Sequence, residues 1–223
     1  RAFGKVMIAD PNHYDVNLKV GGWVEKLFVN ETGERVFKGQ PLLEIYSPQL
    51  VTAQREYLTA LASSKSAENL KTLLELSESR LKNWDITEDQ LNDLRETGKV
   101  SRTMTIRAPS DGFVIKKLVN EGMEVSPGST LYEIADLSTV WVTAYVYEQD
   151  LPYVALKQDA EVTTPGFPGR IFDSRVIYVS PSLNPKGQVQ IRLEMANPQF
   201  ELRPEMYAEV ELQHRSRHAA LVV

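Results

Sequence analysis

The apolar positions of the chain follow two different periods, and the change of period divides it. Val189, Ile191, Leu193 and Met195 alternate with Gln190, Arg192 and Glu194. Met206, Ala208, Val210 and Leu212 alternate with Tyr207, Glu209 and Glu211. Strict alternation predicts strands with one buried face. Val140–Glu148 is β-branched and aromatic, and Gly4–Asp10 reads as one more strand. Proline and glycine clusters at Pro165–Gly169, Pro181–Gly187 and Pro198 separate runs across 138–213. Residues 47–98 instead carry a helical period, with Leu50, Ala53, Tyr57, Leu58 and Leu61, then Leu70, Leu73, Leu74, Leu81 and Trp84. Ser47-Pro48 is a helix start, Thr87–Gln90 has the form of a capping box between Ile86 and Leu91, and Gly98 is a C-terminal cap. Three helices of about 15, 17 and 10 residues are expected, long enough for a small bundle. The polar run Ser63, Ser64, Lys65 and Ser66, with Glu68, marks its tip.

The helical segment interrupts an internal repeat. Residues 22–45 (GWVEKLFVNETGERVFKGQPLLEI) align with residues 112–134 (GFVIKKLVNEGMEVSPGSTLYEI) across one gap at Thr32. Val24 matches Val114, Lys26 matches Lys116, Val29-Asn30-Glu31 matches Val119-Asn120-Glu121, and Leu42, Glu44 and Ile45 match Leu131, Glu133 and Ile134. Gly22, Gly33 and Gly39 match Gly112, Gly122 and Gly128, and these six are assigned to structural turns. A unit of three short strands cannot bury its own apolar face, whereas two such units can bury each other. A two-sheet sandwich assembled from two distant halves follows.

Composition then narrows the chemistry. With 42% hydrophobic and 25% charged residues the chain is ordinary, and a net charge of −5 gives no basic face for nucleic acid. No run of about 18 apolar residues is present. Cysteine is absent, which removes thiol catalysis, Cys-ligated zinc and disulfides. No nucleophile elbow, P-loop or dinucleotide fingerprint occurs, so no catalytic set, cofactor or metal site is assigned. His214 and His218 stand four apart in a polar connector, with His13 remote. The methionines (Met7, Met104, Met123, Met195, Met206) are scattered, and Met195 and Met206 lie on apolar strand faces, where packing explains them better than soft-metal binding.

The repeat resembles the two halves of a biotinyl/lipoyl domain, but helices replace the hairpin that carries the modifiable lysine, and Lys26 and Lys116 fall inside strands. The run Ser47-Pro48-Gln49-Leu50-Val51-Thr52-Ala53-Gln54-Arg55-Glu56-Tyr57-Leu58, with Arg80-Leu81, Trp84–Thr87 and Gly98-Lys99, resembles periplasmic adaptor (membrane fusion) proteins of resistance-nodulation-division efflux systems. It is closest in kind to the heavy-metal branch, the Cus-type copper/silver or cobalt-zinc-cadmium adaptors. Leu137–Val142, Glu148 with Asp150-Leu151, and Asn197-Pro198 with Leu202–Met206 resemble the adaptor β-barrel. Glu205 stands where that family usually has glycine, and Asn184–Gln188 lacks its usual Thr-Arg-Thr.

The resemblance implies a mixed α and β, multidomain fold: a split lipoyl-like β-sandwich (16–46 and 104–135), an inserted helical bundle (47–103) and a discontinuous antiparallel β-barrel (1–15 and 136–213). Residues 214–223, ending Leu221-Val222-Val223, would begin a truncated membrane-proximal domain. It further implies a non-enzymatic adaptor in the periplasm of a Gram-negative cell, associated with the inner membrane. Its expected partners are an inner-membrane transporter, an outer-membrane channel at the helical tip, and further copies of itself. Heavy-metal cations are the implied cargo. The alternatives are a lipoyl- or biotin-type carrier domain and a metal-delivering periplasmic protein.

Overall fold

The computed structural model describes residues 1–63 and 68–213. Along it the chain opens on β1 (Ala2–Ile8) and a single 3-10 turn (Asp10–Asn12). The first half of the sandwich follows as β2 (His13–Asn17), β3 (Gly22–Leu27), β4 (Arg35–Val36) and β5 (Pro41–Tyr46). Helices α1 (Pro48–Ser63), α2 (Glu68–Asn83) and α3 (Glu88–Thr97) are inserted next. The second half is β6 (Thr103–Arg107), β7 (Gly112–Lys117), β8 (Glu124–Val125) and β9 (Thr130–Ala135). The chain then runs through β10 (Thr139–Tyr147), a 3-10 segment (Glu148–Tyr153), β11 (Asp159–Thr163), β12 (Phe172–Leu183), β13 (Gln188–Ala196) and β14 (Tyr207–Leu212).

The sandwich is built by exchange. One sheet has the order β2-β9-β7-β4 and the other β6-β5-β3-β8. Each therefore takes its central pair from one half and its two flanking strands from the other. Every strand of the first half has a counterpart in the second, so the two sheets are related as a pseudo-twofold pair. Each half holds four strands rather than the three expected. The additional ones, β2 and β6, precede the aligned stretch and share no sequence likeness. The bulge is also duplicated: the register slips between Val24 and Lys26 of β3 against β5, and between Val114 and Lys116 of β7 against β9. Val24, Leu42, Ile45, Val114, Leu131 and Ile134 fill the core from both halves, each at most 1% exposed.

The helices pack onto the same core through Leu50, Ala53, Tyr57, Leu81, Leu91 and Leu94. Pro48 occupies the first helical position, where it loses no hydrogen bond, and the buried Ser47 Oγ accepts from the Leu50 amide at 3.4 Å. Thr87 and Gln90 cap α3 reciprocally, and Gly98 ends it in the left-handed region at φ 62°. Residues 14–135 thus form one unit.

The second unit joins Arg1–His13 to the chain from Asp136 onward. It is a closed barrel of order β1-β10-β13-β12-β11-β14. Val6, Val142, Val162, Val176, Ile191, Leu193 and Val210 point inward and are at most 1% exposed. Such burial contributes roughly 1.5–3 kcal/mol per side chain. β1 closes the barrel by pairing with both β10 and β14, which removes two open edges.

Candidate functional framework

The described residues form a joint between two half-sandwiches, a helical arm and a barrel. The joint is set by hydrogen bonds that cross between the halves. The Gly33 amide donates to the Val114 carbonyl at 2.7 Å, and the Val114 amide donates to Glu34 O at 2.9 Å. The second half returns the same pair: Gly122 N to Val24 O at 2.8 Å, and Val24 N to Met123 O at 3.0 Å. Further out, Gly39 N donates to Ala108 O at 2.8 Å and Gly128 N to Leu18 O at 2.6 Å. All four glycines sit at φ between 78° and 88°, where a side chain is strained. Gly22 and Gly112 differ from the turn assignment, since they open β3 and β7. At Gly22 the requirement is space: an added Cβ would lie 2.3 Å from the Tyr46 carbonyl oxygen.

One difference breaks the symmetry. Tyr132 occupies the position of Leu43, and its buried hydroxyl donates to the Val29 carbonyl at 2.7 Å. Burial, with Glu34 nearby, pushes that hydroxyl up to about 12. Lys116 pairs with Glu133 at 2.9 Å, and Lys26 lies 4.8 Å from the Phe28 ring centroid. Both lysines stand within strands, with no hairpin beside them.

The arm is fastened twice. Gln54, 7% exposed on α1, donates to Ser101 O at 3.1 Å and accepts from Ser101 N at 2.8 Å, so the chain leaving α3 is tied to the first helix. Arg95 on α3 donates to the Tyr57 hydroxyl of α1 and, at 2.6 Å, to Glu78 of α2. Lys82 then bridges Glu78 at 2.9 Å and Glu88 at 2.6 Å. Hydrogen bonds from Lys82 and then Arg95 hold the Glu78 carboxyl below its ordinary range, against the opposing effect of its burial. Neither the Gln54–Ser101 nor the Tyr57–Arg95–Glu78 fastening is visible as sequence periodicity, because each is a polar contact between residues at least 17 positions apart. Of the predicted tip, Ser63 ends α1 and Glu68 opens α2. Ser64, Lys65, Ser66 and the Glu68 side chain lie outside the described residues, as do His214, His218 and the whole segment 214–223.

In the barrel, the buried Asn197 donates to the carbonyls of Leu137 and Leu202, each at 2.8 Å, and accepts from the Leu202 amide at 3.0 Å. That set gives the Asn-Pro element its structural reason. Glu205 has φ 70°, the left-handed region, which is the physical reason glycine is favoured there. Its amide still donates to Val6 O at 2.8 Å, and its carboxylate pairs with Lys5 at 2.7 Å. Met195 is buried in the barrel core and Met206 packs against it. On the outer face the Arg192 guanidinium stacks 4.2 Å from the Trp141 ring centroid. Among the described residues no group of three or more His, Cys, Asp or Glu side chains could hold a metal ion, and no helix is long and apolar enough to cross a membrane.

Known proteins share this arrangement. The family described as the CusB barrel-sandwich hybrid domain matches residues 14–135, and the CusB-like β-barrel domain family matches residues 139–216. The chain is 28% identical over 208 residues to the putative membrane fusion protein SilB of Salmonella typhimurium, covering 93% of this chain and 47% of SilB. It is also 28% identical over 208 residues to the cation efflux system protein CusB of Escherichia coli strain K12, covering 93% and 50%. The chain thus spans about half the length of the curated relatives it matches. The crystal structure of ZneB from Cupriavidus metallidurans superposes with a TM-score of 0.63 at 22% identity, covering 96% of this chain and 97% of that one, which establishes the shared fold.

Proposed function

The chain belongs to the CusB-like membrane fusion proteins, and from that membership we propose that it is a non-enzymatic periplasmic adaptor of a heavy-metal efflux pump. It would link an inner-membrane resistance-nodulation-division transporter to an outer-membrane channel, with several copies around the conduit. The observation that carries the reading is the insertion of a fastened helical bundle between two strand-exchanged halves of one sandwich. That is the construction of a joint holding an arm at a set angle. A carrier domain would need a lysine at a hairpin, and the helices occupy that place.

In this reading the tip at Ser63, Ser64, Lys65, Ser66 and Glu68 meets the channel, the barrel lies toward the transporter, and the glycine turns keep the joint stiff. The substrate class, a heavy-metal cation such as copper or silver rather than a drug, is supported by the likeness to a protein of a cation efflux system. The test is a strain lacking the full-length gene but retaining its transporter and channel. Copper and silver tolerance should fall, return with the intact gene, and fail to return with a gene lacking residues 47–103. Unchanged tolerance in the deletion strain would refute the proposal.

A further inference from the structure

The outer face of the barrel carries a concavity of about 540 Å³ across β1, β10 and β13, with Tyr207 of β14 at its side. Strand register sets its side chains in three rows. Phe3 stands opposite Tyr145, Lys5 opposite Thr143, and Met7 opposite Trp141. Thr143 in turn stands opposite Arg192, and Lys5 opposite Tyr207. The middle row is therefore cation, short hydroxyl, cation, with an apolar bank on either side. At about 4.8 Å between strands and about 3.4 Å per residue, the two cations stem from backbone roughly 10 Å apart and the two banks from backbone roughly 14 Å apart. Phe3 and Tyr207 are 70% and 69% exposed, so these rings are not held by the barrel's own packing. The volume lies within the range of small-molecule sites, about 300–1,000 Å³.

Charge and donor count select the occupant. The Arg192 guanidinium lies 4.2 Å from the Trp141 ring centroid, and the Lys5 ammonium 5.3 Å from that of Tyr207. Those two rings already hold a cation, and a further one, a metal ion included, would meet like charge. The nearby carboxylates are engaged. Asp10, which lines the concavity, pairs with Arg192 at 3.3 Å, and Glu205 pairs with Lys5 at 2.7 Å. Each accepts one N–H from its cation. A guanidinium has five N–H donors and an ammonium three. Arg192 Nε is buried and makes no hydrogen bond among the described residues. Donors thus exceed acceptors on both sides of Thr143. What complements them is a negatively charged acceptor on an apolar body that Phe3 and Tyr145 can cover.

We propose that this face of the barrel binds a small organic anion with an aromatic body, its acid group set between Lys5 and Arg192 and its ring against Phe3 and Tyr145. The site goes beyond the adaptor reading and does not depend on it, because every group it uses lies in the barrel unit. Its charge excludes the heavy-metal cations of that reading.

Nuclear magnetic resonance titration of the isotope-labelled chain with naphthoate, and separately with naphthylmethylammonium, tests this. Naphthoate should shift amides within residues 3–7, 141–145 and 190–192, with a Kd of about 0.1–1 mM, as befits so small a ligand. The cationic analogue should bind there at least about tenfold more weakly. Arg192→Gln should weaken naphthoate about tenfold and bring the two analogues to within about threefold of each other. Phe3→Thr, a strand-compatible change at an exposed position, should weaken both and keep the preference for the anion. Lys5→Gln, on the surface and safe for folding, gives a second reading of the charge. Naphthoate that leaves these amides unmoved up to about 5 mM, a cation that binds as well as the anion, or a Lys5→Gln chain with undiminished preference would each overturn the proposal. None of these results bears on metal tolerance of the deletion strain, so the two readings fail separately.

Discussion

The two halves of the sandwich differ more in sequence than in what they do. At four turn glycines the crossing hydrogen bonds repeat within 0.2 Å. At Leu42 and Leu131 the same apolar side chain is buried to the same extent. At Leu43 and Tyr132 they part: one half packs a leucine and the other buries a hydroxyl against the Val29 carbonyl. The comparison teaches that the fold constrains the exchanged backbone most tightly, the apolar layer next, and the polar detail least. A second lesson is positional. Helices could enter between β5 and β6 because the halves are joined by crossing strands, β4 and β8, and need no short connection of their own.

The sharpest test of equivalence is in the core. Leu42→Ala and Leu131→Ala should each destabilise by about 2–5 kcal/mol and should differ from one another by less than about 1 kcal/mol in urea melts. A large difference would mean that one half forms the core and the other merely covers it. The asymmetric position comes next. Tyr132→Phe leaves the Val29 carbonyl without its donor and should cost about 1–3 kcal/mol. Because the folded state raises this hydroxyl to about 12, its contribution is complete below about pH 10 and is lost as the pH climbs through 12. Alkaline melts should therefore show a decline between those values that the phenylalanine variant lacks. The smallest effect is at the turns. Gly33→Ala and Gly122→Ala each place a Cβ in open space but at positive φ, so each should cost about 1 kcal/mol, alike in both halves.

Much of this was legible in the sequence, and the remainder has physical reasons for being hidden. The repeat, the caps at Ser47, Thr87 and Gly98, and the alternating barrel strands follow from periods and from residues with few permitted conformations. The exchange does not. β4 and β8 are two residues each, too short to carry any period, and they pair with strands about 75 to 100 positions away. β2 and β6 were missed because they fall outside the aligned stretch and serve as flanks, where the partner strand rather than the local sequence decides. The polar fastenings at Gln54–Ser101 and Tyr57–Arg95–Glu78 join residues on separate elements, which one-dimensional spacing cannot bring together. The departure at Glu205 could be seen in the sequence only as an unusual residue; its left-handed backbone supplies the reason.

Two distant halves of the sandwich lock one another through reciprocal turn bonds. Couplings transmitted across hydrogen bonds, measured by nuclear magnetic resonance on the labelled chain, test it directly. Two such couplings of similar size are expected, from the Gly33 amide to the Val114 carbonyl and from the Gly122 amide to the Val24 carbonyl. Amides at Gly33 and Gly122 that exchange freely with water, or that couple to carbonyls of their own half, would contradict it.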